Sequence, residues 1–344
     1  METTHRVVAA DARDLAALDD DAVDLVVTSP PYPMVEMWDD LFRESDPAVG
    51  DALDAGDGQR AYEAMHGVLD DVWDEVARVL APGGIACLNV GDATRTIADY
   101  RVYRNHARVA DAFVDRGFTP LPSVLWRKPR NTAAKFMGSG TLPPNAYVTL
   151  EHEHLLVLRN GDEPRDFPPH DPDRYAAAYF WEERNRWFSD VWSDVRGRRQ
   201  SLPAAHGDRE RSAAYPIEIP YRLINMFSVR GDTVLDPFWG TGTTTLAAMA
   251  AARASVGYEL DAGLVDGFDD RLHGIEEFTA DVARDRLERH REFVRDTEAS
   301  FDYDATHYDT PVKTKRERDI RLYRVRDIER EAKRYRTSHE PIEG

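Results

Sequence analysis

Short apolar runs alternate with stretches of helical spacing along this chain. Val7, Val8, Ala9 and Ala10 read as a strand ending at Asp11, with a helical turn over residues 13–18. Residues 23–28 form a second apolar run, which enters Ser29-Pro30-Pro31-Tyr32. Two successive prolines cannot continue a ladder, so the chain must turn at that strand's carboxyl end. Residues 36–58 are rich in Asp and Gly and read as an insertion or mobile loop. Met65, Val68, Leu69, Val72, Val76, Val79 and Leu80 then recur at helical spacing until Pro82-Gly83-Gly84 ends the pattern. Residues 85–90 predict a strand, 102–116 a helix closed by Gly117, and 121–126 a strand.

From 127 to 206 the periodicity weakens while Pro, Arg and aromatics increase, and 155–158 is the one clear strand. Residues 221–228 predict a helix and 233–235 a strand. That strand leads into the turn Asp236-Pro237-Phe238-Trp239-Gly240-Thr241-Gly242-Thr243-Thr244, an alanine-rich helix, and a strand over 254–258 that ends at Glu259. Such alternation predicts an α/β fold with a parallel, doubly wound sheet. Residues 270–344 are charged and read as mostly helical, without a core of their own.

Hydrophobic residues make up 42% of the chain, enough for a core, so a disordered acidic protein is excluded. The single cysteine, Cys87, excludes a disulfide framework and any cysteine-based metal site. No apolar run approaches ~18 residues, and no basic segment with an apolar core opens the chain. A cytoplasmic protein without a membrane partner is therefore expected. The net charge of −19 argues at first against a nucleic-acid partner. Residues 1–122, however, hold 10 basic and 24 acidic side chains, whereas residues 123–211 hold 14 and 13. Asp outnumbers Glu by 40 to 23 and Arg outnumbers Lys by 39 to 5, a bias resembling proteins of salt-loving archaea. On that reading the charge describes the solvent, and in molar salt counterion release contributes little to DNA affinity.

A strand, an acidic residue and Gly-Thr-Gly opening a helix form a nucleotide-type pocket. The glycines admit a ligand to the backbone, and the helix start supplies free N–H groups. A P-loop is excluded, because no Gly-Lys-Ser/Thr is present. Thr245 occupies the third glycine position of a dinucleotide fingerprint. Glu259, at the end of the next strand, stands where an acidic side chain can accept ribose hydroxyls.

The stretches Val26-Val27-Thr28-Ser29-Pro30-Pro31-Tyr32 and Val234 through Thr244 together resemble the two signature motifs of the DNA amino-methyltransferases. Those enzymes use S-adenosylmethionine and carry Asp/Asn/Ser-Pro-Pro-Tyr/Phe/Trp at a strand end. Further likeness lies in Leu80-Ala81-Pro82-Gly83-Gly84, Asn89-Val90-Gly91-Asp92, Trp126-Arg127-Lys128-Pro129, Glu153-His154-Leu155 and Tyr215-Pro216-Ile217-Glu218. Catalytic motif first and cofactor motif last is the order of the family's permuted β group. The resemblance implies a Rossmann-like, circularly permuted S-adenosylmethionine-dependent methyltransferase sheet. Its catalytic parts would be residues 1–126 and 212–269, with an inserted target-recognition region at 127–211 and a charged helical C-terminal extension at 270–344.

It also implies roles. Asp11 and Ala12 would lie near the donor's adenine, and Glu259 and Leu260 at its ribose. Asp236, Pro237, Phe238, Gly240, Thr241, Gly242, Thr243 and Thr244 would surround its methionine moiety. Pro216 and Ile217 would flank the methionine end, although Ala213 and Ala214 replace the bulkier residues usual there. An exocyclic amine is a poor nucleophile because its lone pair is delocalised into the ring. Ser29 Oγ and the Pro30 carbonyl, its backbone fixed by Pro31, would accept the amine protons and restore the lone pair. Tyr32 would stack on a base flipped out of the duplex. In this family Ser at the first motif position goes with cytosine N4, and Asp or Asn with adenine N6. A site-specific cytosine-N4 methyltransferase yielding S-adenosylhomocysteine is the reading. It would act as the modification partner of a restriction endonuclease or as an orphan, monomeric or dimeric. The composition suggests a CTAG-modifying methylase. The alternatives are an adenine-N6 or RNA enzyme, or a catalytically silent DNA-binding protein of the same fold.

Double-stranded DNA would meet Arg127, Lys128, Arg130 and Lys135, and further on Arg196, Arg198 and Arg199 near Trp187, Phe188 and Trp192. A peripheral aromatic core with a solvated arginine face is the plain alternative. His152 and His154 share a strand face, but no third ligand is evident, so packing is expected and no metal. Residues 313–336 hold 11 basic and 5 acidic side chains and read as a helix, gripping phosphates or docking on the acidic N-terminal part.

Overall fold

A computed structural model describes residues 1–128, 137–195 and 215–343. Ten strands form one sheet: β1 (Glu2–Ala9), β2 (Val23–Thr28), β3 (Leu80–Val90), β4 (Phe118–Arg127), β5 (His152–Asn160), β6 (Val191–Trp192), β7 (Thr233–Asp236), β8 (Ala254–Glu259), β9 (Tyr323–Glu331) and β10 (Arg334–Pro341). Their spatial order is β6-β4-β5-β3-β2-β7-β8-β1-β10-β9. The five central strands, β3-β2-β7-β8-β1, are parallel. Their carboxyl ends therefore share one edge, where a doubly wound sheet opens its ligand crevice.

The apolar runs account for the centre of the sheet. In β2, Val23, Leu25, Val26 and Val27 are all buried, as expected of a strand covered on both faces. The helix α1 (Gly58–Val79) starts where the Asp57 side chain accepts from Arg60 N, and it buries Met65, Leu69, Val72, Trp73, Val76 and Val79 on one face of the sheet. With α2 (Asn105–Asp115) it builds that layer. On the other face, α3 (Glu218–Phe227) packs Ile219, Leu223 and Ile224 against α4 (Thr243–Ala251). Every residue of α4 is buried, and its small alanines let helix, helix and sheet approach closely.

Three segments depart from the sequence-based expectations. Residues 36–58 are not a loop: helices Asp39–Ser45 and Pro47–Asp54 bury Phe42, Val49 and Ala52 in the α1 layer. The second is started by Asp46, whose side chain accepts from Ala48 N, and by Pro47 in the first turn. The C-terminal stretch is helical only in part. After α5 (Ile275–Asp296) the chain forms a hairpin, β9–β10, that extends the main sheet beyond β1. The inward alternation of β10 rests on Tyr335, Thr337 and His339 rather than on aliphatic residues, so the charged neighbours mask a period of two. The basic stretch 313–336 therefore runs into the hairpin strands and forms no α-helix. Finally, β5 and β6, from the stretch expected to hold the target-recognition region, belong to the same sheet. No helix among the described residues is long and apolar enough to cross a membrane.

Polar side chains stitch the hairpin to β1 and β8. Thr3 Oγ1 lies 3.0 Å from His5 Nε2 and 2.8 Å from His339 Nε2, and His5 Nδ1 lies 2.9 Å from Ser255 Oγ. Burial and the facing imidazole lower His5 to about 3. Burial and the chain's amino terminus lower His339 to about 4. Between these values and the ordinary ~6.5, the unfolded chain binds protons that the folded one refuses. Stability from this pair is thus complete above ~6.5 and lost as the pH falls toward 4. The double substitution His5→Gln/His339→Gln is expected to flatten the fall of Tm between about pH 7 and 4 in a calorimetric series; an unchanged slope would refute it.

Candidate active site

The turn after β7 is built around a buried carboxylate. Asp236 is 3% exposed. Its Oδ1 accepts from Thr28 Oγ1 at 2.6 Å and Phe238 N at 3.1 Å, and its Oδ2 from Thr244 Oγ1 at 2.6 Å. Tyr215 Oη lies 2.6 Å from the same Thr244 oxygen. Burial pushes the Asp236 carboxyl up to about 6, against the pull of these donors. Gly240 and Gly242 both take left-handed φ, +56° and +80°. A Cβ on Gly242 would stand 2.5 Å from the Phe268 ring, whereas one on Gly240 would meet only the Phe238 carbonyl, at 3.8 Å. Gly242 therefore serves packing, and Gly240 leaves its backbone open to the crevice.

Two further acidic residues close this side. Glu259, at the end of β8, accepts from Gly240 N at 2.8 Å and from Asp261 N at 2.9 Å, which orients its carboxylate beside the glycine turn. Asp11, just past β1, accepts from Arg13 N and Nε, each at 2.9 Å. Burial raises the Asp11 carboxyl, but the Arg13 bonds and charge outweigh it and hold the group below its usual value.

The turn after β2 carries Ser29, Pro30, Pro31 and Tyr32. Ser29 Oγ lies 3.0 Å from Tyr32 Oη and 3.3 Å from the Asn89 carbonyl. Asn89 Nδ2 donates to Tyr32 Oη at 2.8 Å and to Glu153 Oε2 at 2.7 Å, and Tyr32 Oη donates to Glu153 Oε2 at 3.2 Å. Glu153 is buried on β5 and pairs through Oε1 with Lys128 Nζ. Burial, reinforced by the Glu153 charge, pushes the Tyr32 phenol well up, so it stays neutral. Gly91 is confined by the Tyr32 ring, which a Cβ there would approach to 2.8 Å.

Both turns open on one cavity of about 1410 Å³. Asp11, Ala12, Ser29, Pro30, Pro31, Tyr32, Asp236, Pro237, Phe238, Gly240, Thr241, Thr243, Glu259, Leu260 and Lys128 line it. Gly242, Thr244, Pro216, Ile217 and Arg127 do not. Thr244 acts behind the wall on Asp236, and Ile217 packs into the core beside α3. Tyr215, next to Pro216 in the chain, does line the cavity. Arg127 Nη2 donates to Glu151 at 3.3 Å. Arg130, Lys135, Arg196, Arg198 and Arg199 lie outside the described residues. Sequence reasoning gives Asn89 and Glu153 no role of their own, although a carboxylate just before the apolar run 155–158 is a legible signal.

The structure also brings partners to His154 that sequence spacing did not reveal. Its ring stacks on His106 at 3.8 Å between centroids, 9° from parallel, and His106 Nδ1 lies 2.8 Å from Asp92 Oδ1. Parallel stacked imidazoles do not converge their nitrogen lone pairs on one point, so the trio reads as a hydrogen-bonded stack.

Residues 23–269 match the family model described as DNA methylase, of the N6/N4 type. The chain is 50% identical over 327 residues to the Type II methyltransferase M.MthZI of Methanothermobacter thermautotrophicus, covering 94% of this chain and 91% of that one. It is 48% identical over 282 residues to the Type II methyltransferase M.MjaI of Methanocaldococcus jannaschii, covering 78% and 91%. Among solved structures, a putative DNA modification methylase of Thermus thermophilus, complexed with S-adenosyl-L-methionine, superposes with a TM-score of 0.60 at 31% identity, over 78% of this chain and 92% of that one. The cytosine-N4-specific PvuII DNA methyltransferase shares the fold, with a TM-score of 0.51 at 17% identity over 78% and 87%.

Thr244→Val removes a donor from buried Asp236 and an oxygen partner from Tyr215. It is expected to lower unfolding free energy by about 1–3 kcal/mol, read from the denaturant midpoint. An unshifted midpoint would show that the Asp236 clamp does not depend on Thr244.

Proposed function

We propose, from the premise that the chain belongs to the DNA methylase family with S-adenosylmethionine as its methyl donor, that it methylates the exocyclic N4 of a flipped cytosine in a short duplex site. The observation that carries this reading is Ser29: a neutral hydroxyl stands at the first catalytic position, on the same cavity as the glycine turn. A carboxylate there would face the O2 and N3 acceptors of cytosine; a hydroxyl avoids that repulsion.

The residues suit the donor. The cavity is large enough for a nucleoside cofactor and a base together. Its acidic side chains, among them Asp11, Asp236 and Glu259, outnumber Arg13 and Lys128, which favours a cationic sulfonium. Glu259 would hold the ribose hydroxyls, Asp11 and Ala12 would lie by the adenine, and the backbone of Gly240 and Thr241 would approach the methionine part. Asp236 would act indirectly, by fixing that turn. S-adenosylmethionine supplies the electrophilic methyl carbon. Ser29 Oγ and the Pro30 carbonyl would accept the amine protons, and the Tyr32 ring would stack on the base.

Lys128, and Arg127 beside it, would meet the phosphates, with the target site read by residues 127–211. CTAG is the first sequence to test. The acidic composition supports work in molar salt, as a restriction partner or an orphan.

Plasmid DNA incubated with labelled donor, at low and at several molar salt, is expected to yield N4-methylcytosine after digestion to nucleosides. N6-methyladenine instead would overturn the cytosine assignment, and no incorporation at either salt would overturn the enzyme reading. Ser29→Ala is expected to slow single-turnover transfer on the order of a hundredfold; full activity would remove Ser29 from the mechanism. Glu259→Gln is expected to raise the donor Kd about tenfold or more in calorimetry, and an unchanged Kd would take Glu259 off the ribose.

A further inference from the structure

Glu153 is a buried carboxylate near the start of β5, just before the apolar run 155–158, and taking a carboxylate out of water is unfavourable unless its partners compensate. Those partners belong to the catalytic turn and its surroundings. Lys128 Nζ pairs with Oε1, while Asn89 Nδ2, at 2.7 Å, and Tyr32 Oη, at 3.2 Å, donate to Oε2. Tyr32 Oη in turn lies 3.0 Å from Ser29 Oγ. A continuous path of hydrogen-bonding oxygens thus runs from the catalytic serine to a buried carboxylate that the two signature motifs do not include.

Transfer to an exocyclic amine leaves a proton to be removed. As the N4–CH3 bond forms and the S–CH3 bond breaks, the sulfonium becomes a neutral thioether and the nitrogen carries one proton too many. Ser29 cannot be its final acceptor, because a protonated alcohol is a strong acid. Tyr32 cannot supply a phenolate, because burial and the facing carboxylate keep its hydroxyl protonated. Asn89 has no proton to exchange in this role, and it holds Tyr32 and Glu153 in line.

Resting on the reading of Ser29 as the amine's acceptor, we propose that Glu153 is the terminal base of the reaction, reached through Ser29 and Tyr32. Ser29 Oγ takes the N4 proton as its own proton passes to Tyr32 Oη, and the phenol proton passes to Glu153 Oε2. The phenol stays neutral throughout. The acid so formed is returned to solvent beside Lys128, which is 44% exposed in its side chain at the cavity rim. The titratable and charged groups around the carboxylate are Lys128 at the end of β4, Tyr32 after β2, and Tyr215 behind Tyr32. Its own strand adds His152, which also lines the cavity, and His154, which is stacked on His106.

The test compares wild type, Glu153→Gln, Glu153→Asp and Tyr32→Phe in single-turnover methylation of plasmid DNA across pH, with donor binding measured by calorimetry without DNA. Glu153→Gln is expected to keep the donor Kd within about threefold. It should also slow transfer on the order of a hundredfold and lose the acid limb of the wild-type pH profile. Glu153→Asp should keep that limb, and Tyr32→Phe should lose it as Glu153→Gln does, with Glu153 intact. A Glu153→Gln enzyme with the wild-type rate and limb overturns the proposal. So does one that loses donor affinity and rate together while keeping the limb, since that marks a structural role. If wild type modifies no cytosine, the underlying reading fails, and the proposal with it. If wild type modifies cytosine and Glu153→Gln gives either overturning result, only the relay fails.

Discussion

One buried carboxylate joins the two halves of the candidate site. Asp236, at the end of β7, accepts from Thr28, the last residue of β2, across a separation of 208 positions in the chain. Ser29 is the next residue. The same carboxylate holds Thr244 on the first turn of α4, so the Ser-Pro-Pro-Tyr turn, the glycine turn and the helix behind it are positioned by one group. Burial disfavours its charge and raises its carboxyl to about 6, and the donors around it compensate in part. Hydrogen bonds to a charged group contribute about 1.5–3 kcal/mol each. Such a clamp is selective, because a side chain of another length would leave Thr28 and Thr244 without a shared acceptor.

From that clamp the rest of the crevice follows by parallel pairing. Because β1, β8, β7 and β2 run in one direction, Asp11, Glu259, Asp236 and Ser29 all emerge at one edge. Strand ends packed from both faces are rigid, and the side chains that do chemistry gain precision from them. The acidic character of this cavity gives the negative total charge a local meaning. It is repulsive to phosphates but suited to a cationic donor.

The elements most legible in the sequence were those whose apolar pattern is continuous. The run at 23–28, the helical spacing at 61–80 and the strand-turn-helix around 233–252 all appear where expected. Patterns carried by few or unusual residues were not legible. Phe42, Val49 and Ala52 hold two helices among many aspartates. Tyr335, Thr337 and His339 give the last strand, β10, its inward face without one aliphatic residue. In the site, Ser29, Tyr32, Asp236 and Glu259 were marked by turn chemistry, whereas Asn89 and Glu153 sit inside strands and acquire meaning only through the neighbours that pairing brings them.

Local composition by itself determined that this chain is an α/β protein with two special turns, because proline pairs, glycine turns and apolar periodicity act over a few residues. Which turn faces which, and with what partners, was decided only by the tertiary structure. Tyr215 lines the cavity while Pro216 and Ile217 do not, and Glu153 reached Tyr32 from 121 residues away. Hydrogen bonds have a reach of about 3 Å, so contacts between distant segments depend on strand order and register, which no local pattern encodes.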